Sequence, residues 1–301
     1  MAAVLLDFMI GEPRRFHPLV GFGWLASKLE SWLNLPNKTN NAQQRWVGMF
    51  ALALLLTPFV LLAYWLCHIA VVSIVADILL LYFAIGHKSL HDHARAVTRA
   101  LNNHDEASAK IAASYMVSRD SAAIEPVPAT VESVLENGND GVFGALFWFF
   151  IAGGTGALLF RLSNTMDAMW GYKTPRFYYF GWAAARLDDV LDYIPARLTA
   201  LTYAALGNTK LALNCWKTQA PLWDSPNAGP VMAAGAGALH VQLGGAARYQ
   251  GEWHERPTLG AGEAPVAEDI ERALKLVRHG VYLWLLVMLA LGILIGFVSH
   301  A

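Results

Sequence analysis

The chain has 301 residues, of which 55% are hydrophobic and 15% charged, with a formal net charge of −1 at pH 7. Soluble domains carry about 25% charged residues, so this composition excludes an ordinary soluble domain. The near-neutral balance also excludes an electropositive nucleic-acid surface, and the mean hydropathy of +0.37 points to a bilayer.

Residues 1–10 are apolar apart from Asp7, with no basic stretch and no small-x-small cleavage site, so they do not read as a secretory signal. A polar turn follows, carrying Gly11, Glu12, Pro13, His17 and Pro18. Asp7 and Glu12 either reach a site or cap the next element. The spacing over 19–33 predicts an interfacial amphipathic helix, with Leu25, Leu29, Trp32 and Leu33 on one face and Lys28 and Glu30 elsewhere.

Four windows, 47–66, 69–86, 143–160 and 281–298, are each close to the roughly 20 residues needed to cross a bilayer. Asp77 is the one charged residue in them. The first two form a hairpin closed near Cys67 and His68. Lys38 and Arg45 before it, and Lys88, Arg95 and Arg99 after it, place both flanks in the cytoplasm by the positive-inside rule. Gly153 and Gly154 at the centre of 143–160 leave open whether that window crosses or dips in and returns. The fold class expected is all-α: one polytopic membrane domain over 1–301 with four to five membrane segments. Residues 88–142 and 161–280 are its polar, site-bearing regions. Arg272, Lys275 and Arg278 before the last window put 208–280 inside and the C-terminus outside. Cys67 and Cys215 make no metal or disulfide pattern, and no internal repeat is visible.

Within 88–142, Ser118 to Ser121 supply N-cap candidates, Pro126 and Pro128 suit a helix start, and Gly138 suits its end. Glu132 and Glu136 lie one turn apart on a helical face, and Asp140-Gly141 is a turn that presents a carboxylate just beyond it. Carboxylates and amides clustered there suit Mg²⁺, which takes oxygen ligands; the same spacing serves an ordinary solvated face. His87, His91 and His93 lack an HExxH pattern, which makes zinc the minor reading.

Residues 161–197 are too polar for their surroundings. Arg161, Asn164 and Asp167 fall at i, i+3 and i+6, one stripe on an apolar helix. Arg186 and Asp189 repeat the spacing, Asp188 and Asp192 are four apart, and Pro195 is expected to kink or end its helix near Arg197. Arginines suit bidentate contact with phosphate or carboxylate, and adjacent aspartates a metal or an ammonium group. Buried ion pairs between helices would use the same residues. Charges beside membrane segments are costly to retain, which favours a site. Further on, Ser225 to Pro230 is a rigid turn exposing Asn227. The small-residue run through Met232, Gly235 and Gly237 suits close helix packing, and no Walker A loop is present.

Taken in order, these blocks resemble the adenosylcobinamide-phosphate synthase family of integral membrane proteins. The resemblance runs through Leu6-Asp7 with Gly11-Glu12-Pro13 and His17-Pro18, then His93-Ala94-Arg95 and Ser118-Arg119-Asp120. It continues with Glu132, Glu136-Asn137 and Asp140-Gly141, then Asn164 with Asp167, and Gly171-Tyr172-Lys173. It closes with Arg186-Leu187-Asp188-Asp189, Ile194-Pro195-Ala196-Arg197 and Ser225-Pro226-Asn227-Ala228-Gly229. Two departures are visible: Gly138-Asn139 stands where the family usually has Thr-Ser, and Pro230 follows the Asn-Ala-Gly element where a longer polar stretch is frequent.

The resemblance implies a cobalamin-pathway ligase that joins a corrinoid carboxylate to aminopropanol phosphate or aminopropanol, driven by ATP and Mg²⁺. It implies catalytic roles for Asp167, Arg186, Asp188 and Asp189, and substrate or phosphate binding by Arg119, Asn164, Lys173, Arg197 and Asn227. Glu136 and Asp140, or Asp188 and Asp189, would hold Mg²⁺. The corresponding partners are the two substrates, membrane lipid and other cobalamin-assembly enzymes, with no nucleic acid and no tightly bound cofactor. The corresponding location is the bacterial inner membrane, with the site facing the cytoplasm. Two rival classes use the same scaffold without this chemistry: a corrinoid transporter or binding protein, and a non-catalytic membrane regulator.

Overall fold

The computed structural model describes residues 1–12, 17–35, 40–249 and 251–299, the last five of these by backbone alone; Pro13 and Lys38 lie outside the described residues. In chain order the helices are α1 (Ala2–Ile10), α2 (Pro18–Leu33), α3 (Asn41–His68), α4 (Ser73–Ala84), α5 (His87–Asn102) and α6 (Glu106–Ser114). After these come α7 (Pro126–Gly138), α8 (Gly144–Trp170), α9 (Trp182–Leu206), α10 (Thr209–Gln219) and α11 (Ala228–Leu239). Four three-residue strands follow, β1 (Gln242–Gly244), β2 (Ala247–Tyr249), β3 (Glu252–His254) and β4 (Thr258–Gly260), before α12 (Ala267–Ser299). The strands pair antiparallel as β1 with β4 and β2 with β3. The class is all-α, as expected. Among the described residues, four helical stretches are long and apolar enough to cross a membrane: Asn41–His68, Ser73–Asn102, Pro126–Trp170 and Ala267–Leu294.

The chain divides into two compact units. One holds residues 87–143 and 194–301 with Met1, and the other holds 2–86 and 144–193.

In the second unit α3 and α4 form the expected hairpin, and α8 packs on both. Its core gathers Phe22, Leu52, Leu55, Leu162, Met166, Trp170 and Phe180. The helix expected over 19–33 forms as α2, and the window 143–160 breaks at the glycine pair noted in it. The amphipathic helix α2 buries Phe22, Ala26 and Glu30, while Leu25 and Trp32 stay exposed. Glu30 tolerates burial because Arg176 donates to both of its oxygens, at 3.0 and 2.5 Å, and Asn34 donates to it at 2.8 Å. The window 143–160 contains a break: Ala152 and Gly153 leave helical geometry, with Gly153 at φ +62° and ψ −157°. That left-handed φ is one glycine adopts without a Cβ penalty. The Asp77 carboxylate accepts the Gly154 N–H at 2.7 Å, capping the helix where it restarts.

In the first unit α7 packs against α5, α11 and α12, and α10 lies on α11. All of α11 from Gly229 to Leu239 is buried, and its small residues allow the close approach expected: a Cβ on Gly237 would stand 2.8 Å from the Ala212 Cα. Pro126 starts α7 as expected. The capping expectations fail. No side chain caps α7, whose N-cap is Glu125, and Asp120 precedes a short 3₁₀ turn, Ser121–Ala123, without capping it. Gly138 does not stop the helix. The backbone runs on through a π-helical turn, Asn139–Phe143, into α8. Gly138 instead makes room, because a Cβ there would meet the Tyr203 Oη at 2.5 Å and a Val277 methyl at 2.9 Å. Pro195 neither ends nor bounds its helix, since α9 continues to Leu206.

Candidate functional site

A dense polar cluster of the first unit is centred on Glu132, which lies on α7 and is 3% exposed. An ionised carboxylate at that depth requires compensation by charge and hydrogen bonds. Arg119 donates Nη2 to Oε2, and Arg256 donates Nη1 to Oε2 at 3.0 Å and Nη2 to Oε1 at 3.3 Å. The Gly244 backbone N–H donates to Oε1 at 3.0 Å. Burial alone would lower the Arg119 pKa, but the Glu132 charge and the neighbouring Tyr249 outweigh it and raise the pKa above its usual value. The Nε of Arg256 donates to the Gly245 carbonyl at 2.9 Å, so one arginine ties the 244–245 loop to the carboxylate. Asp120 secures the neighbouring hairpin by accepting from the Gly251 N–H at 2.8 Å.

One turn further along α7, Glu136 stands in the field of Asp140 and Glu132 and, more weakly, of Arg119 and Arg256. Asp140 lies in the π-helical turn rather than in a tight turn beyond a helix end. Asn139 donates to Asp140 at 2.9 Å and accepts from the Thr199 hydroxyl at 2.9 Å. Tyr203 donates its hydroxyl to the Leu135 carbonyl at 3.0 Å, and burial, assisted by the Asp140 charge, raises its pKa. Glu136 and Asp140 form an oxygen-only donor pair of the kind a hard cation takes. Among the described residues no group of three or more His, Cys, Asp or Glu could hold a metal. An ion held by this pair would complete its shell from water and phosphate, which fits Mg²⁺. On α9, Arg197 donates Nη1 to the Asn227 side-chain oxygen at 2.7 Å and Nη2 to the Pro226 carbonyl at 2.8 Å. The Ser225–Gly229 turn is thereby held by an arginine expected to bind substrate, and Asn227 is buried rather than exposed.

The second unit carries the other expected residues. Asn164 and Asp167 are half-buried on α8, on the same stripe as Arg161, which pairs with Glu12 at 3.6 Å. The Asp167 carboxylate lies against Gly171, where a Cβ would collide with it. Lys173 is exposed in the segment after α8. Arg186 and Asp189 form an i,i+3 ion pair at 3.1 Å with Arg186 exposed; Asp188 is half-buried beside them, and Asp192 is buried.

The structure thus joins Arg197 to Asn227 and Arg186 to Asp189, and sets Glu136 within the field of Asp140. It also brings in a residue that spacing did not reveal. Arg256 stands 124 positions after Glu132 in a polar segment with no periodicity, and the two meet through the fold alone. The convergence of two arginines on Glu132 has no sequence signal beyond the acidic spacing on α7.

Among the described residues, four helices long and apolar enough to cross a membrane define a polytopic α-helical membrane protein. A family model described as CobD/Cbib protein matches residues 1–277. The chain belongs to that family. It is 53% identical over 299 residues to the "Cobalamin biosynthesis protein CobD" of Chromobacterium violaceum, covering 98% of this chain and 96% of the relative. Identity to the protein of the same name from Stutzerimonas stutzeri is 55% over 294 residues, covering 96% and 95%. To that of Mycobacterium tuberculosis strain H37Rv it is 37% over 284 residues, covering 91% and 88%. No solved structure matches the chain.

Proposed function

We propose that this protein acts in cobalamin biosynthesis as an amide-forming ligase. It would join adenosylcobyric acid to aminopropanol phosphate, or to aminopropanol, at the expense of ATP. The observation that carries the reading is the family match across residues 1–277, within which the charged motifs occur in order.

A carboxylate is a poor electrophile because its oxygen is a poor leaving group. In the route proposed, a carboxylate oxygen of the corrinoid attacks the γ-phosphorus of ATP and ADP departs, giving an acyl phosphate. The amine nitrogen then attacks the acyl carbon, orthophosphate leaves, and the nitrogen gives up a proton. Asp167 is assigned the acceptance of that proton. Arg186 and Arg197 are assigned the phosphate or the corrinoid carboxylate, and Arg119, Asn164, Lys173 and Asn227 the remaining polar contacts. Asp167 would also orient the ammonium and take the proton it must lose before it can attack, and Asp188 and Asp189 would be the alternative pair for Mg²⁺. Mg²⁺ held by Glu136 and Asp140 would neutralise phosphate charge.

The reading includes an inner-membrane location with the ligase chemistry on the cytoplasmic side, where ATP is supplied. Detergent-purified protein incubated with adenosylcobyric acid, ATP, Mg²⁺ and either amine, followed by mass spectrometry, tests it. Amide formation is expected. No amide with either amine, from folded protein that binds corrinoid, would move the function to a binding or regulatory role.

A further inference from the structure

We propose that the cavity beside Glu132 in the first unit is a purine nucleoside triphosphate site, built without a Walker loop. The proposal rests on the ATP-driven reading above and assigns a place to the nucleotide. The cavity measures about 410 Å³ and is lined by Arg119, Glu125, Glu132, Gly244, Trp253 and Arg256 among others. That volume lies within the roughly 300–1,000 Å³ of small-molecule sites.

Its wall offers the three chemistries a nucleotide requires. Phosphate needs oriented cations. Arg119 and Arg256 are fixed by Glu132, so little side-chain freedom remains to be lost on binding. Of the five guanidinium donors of Arg256, three are engaged, by Gly245 and by the two Glu132 oxygens, which leaves two. The Glu132 charge is shared between two guanidiniums, so this trio carries one net positive charge, which Glu125 elsewhere on the lining offsets. The base needs a flat apolar surface, and Trp253 presents an indole that is 64% exposed. The ribose hydroxyls need an acceptor. Glu125 is exposed at the start of α7 and does not cap its own helix; a carboxylate accepting from ribose hydroxyls is a recurrent solution. Glu136 stands one helical turn from Glu132, so a cation on Glu136 and Asp140 would lie on the same helix as this phosphate wall.

The experiment is a set of equilibrium titrations of the full-length protein in detergent with MgATP, MgAMP, tripolyphosphate and 2′,3′-dideoxy-ATP. Trp253→Ala should weaken ATP and AMP about tenfold or more, the usual worth of a base-aromatic stack, and leave tripolyphosphate unchanged. Arg256→Lys should weaken ATP and tripolyphosphate alike, and Glu125→Gln should weaken ATP but not the dideoxy analogue. If Arg256→Lys fails to fold, the other two variants decide, because both side chains are exposed. Unchanged ATP affinity in Trp253→Ala and Glu125→Gln overturns the proposal, and if amide still forms with ATP the ligase reading survives it. Folded wild-type protein that binds no ATP and makes no amide overturns both. ATP binding lost with Trp253 or Glu125, in protein that forms no amide, keeps the nucleotide site and removes the ligase.

Discussion

The Asp77 carboxylate on α4 accepts the backbone N–H of Gly154 at 2.7 Å, and it does so where Ala152 and Gly153 have left helical geometry. An acidic residue inside a membrane-length helix thus has a structural duty, since it satisfies a backbone N–H that is buried within the protein where the helix breaks. Asp77→Ala should lower stability by about 1–2 kcal/mol, the cost of losing a helix cap. Asp77→Asn retains an acceptor and should lose less. Thermal unfolding in detergent checks this, and equal losses from the two variants would rule out the cap.

Glu132 is enclosed by Arg119, Arg256 and the Gly244 N–H. Glu132→Ala leaves two partly buried guanidiniums facing each other without their anion. The expected loss is about 3–5 kcal/mol, with protease cleavage appearing first in 241–260, the segment that Arg256 and Gly244 tie down. A variant as stable and as protease-resistant as the parent would show that the trio holds nothing together.

Gly138 faces Tyr203 and Val277 at distances a methyl group cannot share. Gly138→Ala should destabilise by about 1–3 kcal/mol through overpacking. The double change Gly138→Ala with Tyr203→Phe should recover part of it, because the Oη supplies the shortest contact. Denaturant unfolding of both variants measures the difference.

Asp167 is the assigned proton acceptor, and its carboxylate lies against Gly171. Asp167→Asn is expected to reduce the rate of amide formation by about 10²-fold or more, the usual worth of a general base, without changing corrinoid affinity. Gly171→Ala should displace the carboxylate and produce a smaller loss of the same kind. Full turnover in Asp167→Asn would transfer the role to another residue.

Burial raises the thiol pKa of Cys215 on α10. The thiolate is the reactive form, so at pH 8 the folded protein should alkylate at Cys215 far more slowly than the unfolded chain. A raised folded pKa also means that stability is retained below the ordinary thiol range, about 8.5, and falls as pH rises through it. Iodoacetamide labelling with mass spectrometry, native against denatured, reads the rate difference.

The sequence by itself determined the class and the family. Four uncharged or nearly uncharged windows of bilayer length give an all-α membrane protein, because a lipid interior accepts a backbone only when its polar groups pair within the segment. The ordered charged motifs name the family because no packing requirement produces that set. Pro126 as a helix start and the small-residue packing of α11 were also legible, since both follow from local chemistry.

Tertiary structure decided how the charges are used. Glu30 reads as a solvated residue and is buried, because Arg176, 146 positions away, folds onto it. Gly138 reads as a stop and is a contact point for Tyr203, 65 positions on. Arg256 has no motif around it and becomes half of the cradle of Glu132. A carboxylate in a low-dielectric interior is stable only beside the cations that compensate it. Which cations arrive there is fixed by where the fold returns the chain, a distance that local spacing does not encode.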